Sequence, residues 1–200
     1  MSKDWEKAQK WESSWWGNCI NSYGEEEKQI LYAKRMGLQF YHDTKSPYSI
    51  DMKGRTVVDI GGGPASLLLK CHNLGPSIVV DPLEVPEWVK LRYETAGIMH
   101  QQIPGEDLDV AGFDEAWIYN CLQHTRTPHK VIKNALKAGG IVRVFEWVNT
   151  SRNEGHPHAF VAESLDQWLG GEGKRETLKG EAGCFGDCYY GIFIGSKLDD

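Results

Sequence analysis

The chain has 200 residues, a formal net charge of −6 and five cysteines, which is enough for one α/β domain with its own core and too little for two. The acidic balance disfavours a grip on nucleic-acid backbones, which recruits a basic face. An odd number of scattered cysteines suits a reducing compartment better than a disulfide framework. No apolar stretch approaches the roughly 18 residues of a membrane span, and Met1 to Lys10 is too polar for a signal peptide, so a cytoplasmic protein without a membrane partner is expected. Cys184 and Cys188 have no second cysteine or histidine pair at zinc-ligand spacing, and no metal is expected.

Two helices come first. Asp4 to Ser14 places Trp5, Ala8, Trp11 and Trp15 at three-to-four spacing, and Glu25 to Met36 puts Ile30, Leu31, Ala33 and Met36 on one side before Gly37, the periodicity of amphipathic helices. Trp5, Trp11, Trp15 and Trp16 are half of the eight tryptophans, and residues 1–50 read as a helical cap on a domain spanning 51–200. From Thr56 the order becomes strand 56–60, helix 65–74, strand 77–81, helix 86–96, strand 98–102, strand 114–119, helix 128–137 and strand 141–147. Such alternation predicts an α/β fold with a doubly wound, mostly parallel sheet. The segment before Asp114 is short for a helix, so a single turn or a loop is expected to cross there. After a polar stretch, Ser164 to Leu169 forms a helix closed by Gly170 and Gly171. Glu176–Lys179 and Cys188–Ile194, around Gly180, Gly183 and Gly186, predict a C-terminal hairpin added antiparallel to the sheet.

The first strand of the alternation ends in Asp59, Ile60, Gly61, Gly62, Gly63 and Pro64. Its glycines let the exit turn pass close to a ligand where a Cβ would collide, and the helix expected after it would aim its N-terminal amides at the same gap. Asp81 stands at the carboxyl end of the next strand, where in dinucleotide folds an acidic group accepts hydrogen bonds from two ribose hydroxyls. A nucleotide-type cofactor is therefore expected; a tight strand-to-helix turn without a ligand is the plainer alternative. A pyrophosphate calls for G-x-G-x-x-G, yet Pro64 follows Gly63 and Ser66 occupies the third-glycine position, which disfavours NAD and FAD. Asp59 can hold loop amides or reach a cationic amino group through water. S-adenosylmethionine carries such an ammonium and has no phosphates.

Strand, GGGP and helix, Asp81, the stretch YNCLQHTRTP and the stretch ALKAGGIVRVFEW together resemble the class I S-adenosylmethionine-dependent methyltransferases over roughly residues 54–148. The hairpin tail stands where that family carries its sixth and seventh strands, so the resemblance implies a Rossmann-like, seven-stranded sheet. It also implies that Gly61, Gly62 and Gly63 lie under the methionine part of the cofactor and that Asp81 and Pro82 meet the ribose. Glu106, Asp107 and Leu108 would meet the adenine, and Asn120, Cys121 and Leu122 would line the pocket.

Methyl transfer is an in-line displacement, so positioning in a dry site carries most of the catalysis, and a base is needed only if the acceptor must lose a proton. His124, His156 and His158 are the candidate bases because imidazole titrates near neutral pH; Tyr119 and Glu146 rank behind them. The plainer readings are a surface histidine loop at GHPH and a solvated acidic turn at Glu106–Asp107. The chain lacks an Asn or Asp followed by Pro-Pro and an aromatic, and no proline precedes Cys121, which disfavours methylation of base amines, glutamine amides or cytosine C5. The tryptophan-rich segment either closes over the pocket and stacks on a planar or cationic acceptor or packs its indoles on the domain. The expected activity is methyl transfer to an oxygen or nitrogen of a small-molecule, metabolite or sugar-like acceptor. The alternatives are an S-adenosylmethionine-binding sensor or partner subunit without transferase activity, and an enzyme that cleaves S-adenosylmethionine.

Overall fold

The computed structural model describes residues 3–17, 19, 22–40 and 49–195; the remaining parts of the expected cap and domain (1–2, 18, 20–21, 41–48 and 196–200) lie outside the described residues. Two helices, α1 (Lys3–Trp16) and α2 (Ser22–Arg35), precede a short strand β1 (Ile50–Asp51). The alternation then runs β2 (Val57–Ile60), β3 (Cys71–His72), β4 (Ser77–Val80), α3 (Glu87–Thr95), β5 (Ile98–Gln101), β6 (Phe113–Tyr119), α4 (Pro128–Ala138) and β7 (Gly139–Trp147), followed by α5 (Ala162–Leu169) and the hairpin β8 (Lys174–Glu181) and β9 (Cys184–Ile194). Seven strands form one sheet in the order β5-β4-β2-β6-β7-β9-β8. The first five of these are mutually parallel, while β9 runs antiparallel to both β7 and β8. The mostly parallel sheet and its antiparallel tail are thus as the sequence predicts, as is the single turn, Gly105–Asp107, that crosses from β5 to β6.

Alternation along the strands sorts their side chains onto two faces. Val57, Val79, Trp117 and Phe145 pack with Met36, Leu67, Leu68 and Tyr93 on one face; Val58, Val80, Ile118 and Val144 pack with Val131, Ala135 and Leu165 of α4 and α5 on the other. Every residue of β2 and β4 is buried, the state of strands covered on both sides. The chain leaves β2 toward β4 and β5 and returns to β6 on the opposite side, so the order reverses between β2 and β6. In open α/β sheets ligands bind at that reversal, outside the carboxyl ends of the strands. Among the described residues no helix is long and apolar enough to cross a membrane.

The expected helix over 65–74 does not form. Its place is taken by two 3-10 turns, Gly63–Ala65 and Leu67–Lys70, and by β3, which pairs with β1 in a separate two-stranded sheet. The break lies at Ser66, whose backbone is extended at φ −54° and ψ 145°. There Ser66 N donates to Tyr93 Oη and Leu67 N to Tyr119 Oη, both at 3.0 Å, while Ser66 Oγ accepts from Leu68 N at 3.0 Å. Side chains from α3 and β6 thus claim the amides that an α-helical first turn would leave facing the gap, a tertiary override of local propensity.

At the foot of β6 the fully buried Glu115 accepts from Arg143 Nε at 2.6 Å and Trp117 Nε1 at 2.8 Å, and is also bonded to Arg55. Arg143 Nη1 donates to Met36 O at 2.8 Å, which ties the end of α2 to the sheet. Glu115→Ala leaves the buried Arg143 charge uncompensated and is expected to destabilise the fold by about 3–5 kcal/mol in urea unfolding. A loss below about 1 kcal/mol, typical of an exposed pair, would refute a structural role for the network.

Candidate active site

The loop after β2 is built to lie flat. Gly61 and Gly63 take left-handed φ of +77° and +58°, where other residues are strained. A Cβ on Gly61 would stand 2.5 Å from Cys121 Cβ, and one on Gly62 would stand 2.7 Å from Asp59 Oδ2. Beneath the loop, Asp59 is fully buried: its Oδ2 accepts from Ser66 Oγ and Tyr119 Oη, each at 2.5 Å, and its Oδ1 has no hydrogen-bond partner. Burial pushes the Asp59 carboxyl up to about 7. Asp81, just past β4, accepts from Gly63 N at 3.0 Å on Oδ2 and from Leu83 N at 2.8 Å on Oδ1, which holds the two strand-end loops together. Burial raises it to about 6, and each of its oxygens keeps a second lone pair for a ligand hydroxyl.

A cavity of about 460 Å³ opens over this loop, within the roughly 300–1,000 Å³ common for small-molecule sites. It brings together many of the residues singled out in the sequence: Gly61, Gly62, Gly63, Asp81, Pro82, Glu106, Asn120, Cys121, His124 and His156 all line it. Asp59, Asp107, Leu108, Leu122 and His158 are absent from its wall. Leu108 and Leu122 sit in the core, and the exposed Asp107 pairs with Arg126 at 2.8 Å. Glu106 Oε1 accepts from Arg126 N at 2.6 Å and Thr127 N at 2.8 Å, so it fastens the entry to α4. Asn120 takes a left-handed φ of +51° and accepts from Gln123 Nε2 at 3.1 Å. The Cys121 thiol is held well above its usual pKa by burial, so it remains protonated and is a weak nucleophile.

The three histidines separate by environment. His158 shares a 2.8 Å hydrogen bond with Thr125 O and stacks on Phe160, outside the cavity, and burial lowers its pKa. His156 packs edge-on to His124 at 4.7 Å and to Trp11 at 5.7 Å, with its pKa lowered by burial and by His124. His124 Nδ1 lies 3.0 Å from Glu12 Oε1 and 2.7 Å from Gly155 O, while Gln123 Nε2 stands 3.4 Å from the other nitrogen. That network assigns the proton to Nδ1 and leaves Nε2 as an acceptor. Burial opposes the charged ring, but the Glu12 carboxylate outweighs it and holds the His124 pKa above its usual value. Glu146, the second-rank candidate, is fully buried, accepts from Leu122 N at 2.7 Å and Trp147 N at 3.1 Å, and is raised to about 7 by burial. The described residues contain no cluster that could hold a metal ion, and all five cysteines are free.

Sequence reasoning missed half of the wall. Glu25, Lys28, Gln29 and Tyr32 of α2, Thr150 after β7, and Gly183 to Gly186 at the hairpin turn and the start of β9 all line the cavity. A signal for α2 was present: Glu25, Gln29, Tyr32 and Met36 form one helical stripe, and all four are buried, so two polar residues share a buried stripe with apolar ones. The hairpin turn carried no such signal. Glu12 was equally unforeseen, since its role depends on where α1 lies.

No family model and no curated protein matches the sequence. Solved structures do match in fold. The 1,6-didemethyltoxoflavin-N1-methyltransferase of Burkholderia thailandensis, crystallised with S-adenosylhomocysteine, is 15% identical with a TM-score of 0.63, covering 96% of this chain and 88% of its own. A SAM-dependent methyltransferase from Thermotoga maritima is 14% identical with a TM-score of 0.62, covering 97% of this chain and 100% of its own. The N-methyltransferase NodS of Bradyrhizobium japonicum, also with S-adenosylhomocysteine, is 14% identical with a TM-score of 0.57, covering 86% and 87%. The chain therefore has the fold of the class I S-adenosylmethionine-dependent methyltransferases. The cyclase SpnF shares it at a TM-score of 0.56 and 15% identity, covering 78% of this chain and 61% of its own, so activity must be argued from the site.

Because the Asp59 pKa is raised on folding, the folded state holds this proton more tightly than the unfolded chain, and stability declines as pH rises from about 4 to about 7. Asp59→Asn mimics the protonated acid and is expected to be the more stable form at pH 7.5 in thermal unfolding without ligand. Its advantage should shrink by on the order of 2 kcal/mol when the pH is lowered to 5. A gap independent of pH would mean that Asp59 titrates normally.

Proposed function

We propose that this chain is an S-adenosylmethionine-dependent methyltransferase acting on an oxygen or nitrogen of a small-molecule acceptor. The observation that carries the reading is the cradle around Gly61–Gly63: a loop in which a Cβ on Gly61 or Gly62 would collide and Gly63 is left-handed, with an unpartnered, fully buried Asp59 oxygen beneath it and the Asp81 carboxylate beside it. These residues fit a ligand with an ammonium group and a ribose, and they lack the third glycine that a pyrophosphate calls for. In this reading Gly61, Gly62 and Gly63, over the buried Asp59, hold the methionine end, Asp81 and Pro82 the ribose, and Glu106 the adenine, with Asn120 and Cys121 as the floor; Asp107, Leu108 and Leu122 stand outside the wall and have no contact role. S-adenosylmethionine, when bound, supplies a methyl group on a positively charged sulfur.

The chain's own residues then orient the acceptor and take its proton. Helices α1 and α2 cap the α/β domain, and α1 brings Glu12 to His124. Glu12 fixes the His124 tautomer, leaving Nε2 free to accept a proton. With S-adenosylmethionine bound, its methyl group would pass to the acceptor's lone pair, the sulfur keeping the bonding electrons, and His124 Nε2 would take the acceptor's proton. His156 and His158 support that loop, His156 by ring contact and His158 through Thr125 O. Five unpaired thiols accord with a cytoplasmic setting.

Calorimetry is expected to show binding of S-adenosylmethionine and S-adenosylhomocysteine but not NAD, and Asp81→Ala should weaken it by about 1–3 kcal/mol; unchanged binding would remove the ribose assignment. Incubation of the protein with a metabolite extract and methyl-labelled donor separates transfer, with label on an acceptor, from cofactor cleavage, with decay in its absence. Glu12→Gln should lower the His124 pKa in an NMR titration, because the carboxylate that raises it is gone. With an acceptor in hand, the acidic limb of kcat/KM should then move to lower pH. A limb that stays in place would end the candidacy of His124 as the base.

A further inference from the structure

Rings make up much of the cavity wall. Trp11 and Trp15 of α1 stack with centroids 5.7 Å apart and planes inclined by 5°. The Trp16 ring reaches over Gly63, 3.4 Å from where a Cβ would stand. Tyr32 and Trp147 meet edge-on at 6.4 Å, and Trp147 rests 3.7 Å from the same construction on Gly186. Phe185, at the start of β9, lines the cavity although 75% of it is exposed. So many flat faces, contributed by α1, α2, β7 and β9, favour a ligand that stacks.

Charge narrows the ligand further. Among the described residues Lys28 is the only lysine or arginine in the wall, and its ammonium is already committed, 2.5 Å from Glu25 Oε1 and 5.8 Å from the Trp15 ring centroid. Glu12 and Glu25 are the carboxylates that α1 and α2 bring to the wall. A carboxylate or phosphate on the acceptor would meet these acids with no free cation to receive it. A sugar seated against these rings would bury hydroxyls on their apolar faces, and each one left unpaired there is costly. Gln29 and Thr150, both in the wall, each carry a buried atom without a partner, Oε1 and Oγ1, a cost that an N–H donor on the ligand would relieve.

We infer that the methyl acceptor is a planar, non-anionic nitrogen heteroaromatic of one or two fused rings, held between the α1 indoles and the Tyr32, Trp147 and Phe185 wall. This deepens the methyl-transfer reading and rests on it. The size limit follows from the cavity of about 460 Å³, which the acceptor shares with a nucleoside-bearing cofactor.

The test is calorimetry with benzimidazole and quinoline as flat nitrogen probes, and benzoate and glucose as anionic and polyol controls, on the S-adenosylhomocysteine-saturated and the ligand-free protein. Benzimidazole and quinoline are expected to bind the saturated protein with Kd below about 1 mM, an affinity open to fragments of this size, and both controls at least about tenfold more weakly. Phe185→Ala, at a site too exposed to threaten folding, and Trp147→Ala should each weaken benzimidazole binding roughly three- to tenfold. Controls that bind as tightly as benzimidazole, flat probes that do not bind, or both variants retaining wild-type affinity would overturn the acceptor class while leaving the cofactor reading intact. Failure of S-adenosylhomocysteine to bind would sink that underlying reading instead, and the ligand-free titrations would then judge the ring wall by the same criteria.

Discussion

The Asp59 carboxylate, removed from water beneath a glycine loop, is the constraint around which the binding crevice is organised. One of its oxygens gathers Ser66 Oγ and Tyr119 Oη, and the same tyrosine hydroxyl accepts from Leu67 N. Tyr93 completes the arrangement from α3, accepting from Ser66 N and donating to Gly63 O at 2.6 Å. Three elements are thus tied to a single turn by hydrogen bonds that water cannot reach, where each is stronger and each vacancy more costly than at the surface. The second oxygen remains unpaired. A buried acid with one unsatisfied oxygen is costly to hold ionised, and burial raises its pKa to about 7 accordingly.

The N-terminal helix is held by the site it covers. Of its fourteen residues only Ala8 is fully buried, so α1 gains little from ordinary core packing. Its anchors are contacts with the crevice: Glu12 on His124, the Trp11 ring against Gly155, where a Cβ would stand 2.5 Å away, and the Trp5 ring under Arg126 at 5.2 Å. Removing that helix would expose the cavity and take away the Glu12 partner of His124, so covering the cavity and setting the His124 tautomer depend on one element. By contrast α2 is bound to the sheet itself, with Arg143 of β7 on Met36 O and Arg35 on Glu176 and Glu181 of β8 at 2.9 and 2.8 Å. One wall of the cavity is therefore fixed to the scaffold, and the opposite wall depends on the site's own chemistry.

Much of the fold was legible because its signals are local. Buried strands such as Val57–Ile60 and Ser77–Val80 read as short apolar runs, α4 as an amphipathic repeat, and the hairpin as two alternating segments around glycines, each needing only a window of neighbours. The positions of Gly61, Gly63 and Asp81 at strand ends were legible for the same reason, since a strand's carboxyl end is where an open α/β sheet receives ligands. The helix after the glycine loop was misread because Ser66 and Leu67 answer to Tyr93 and Tyr119, 27 and 52 residues away, and no local window contains those partners.

What the sequence by itself determined is the order and type of the elements, the two-faced sheet and the identity of the strand-end residues, because periodicity and backbone punctuation act over a few positions. Tertiary structure alone decided which acids are buried and which solvated, that Glu106 fastens a helix entry while Asp59 keeps one oxygen unpartnered beneath the loop, and that Glu12 meets His124 across more than a hundred residues of chain. Those outcomes depend on desolvation and on contacts between distant segments, and both quantities exist only once the chain has closed around them.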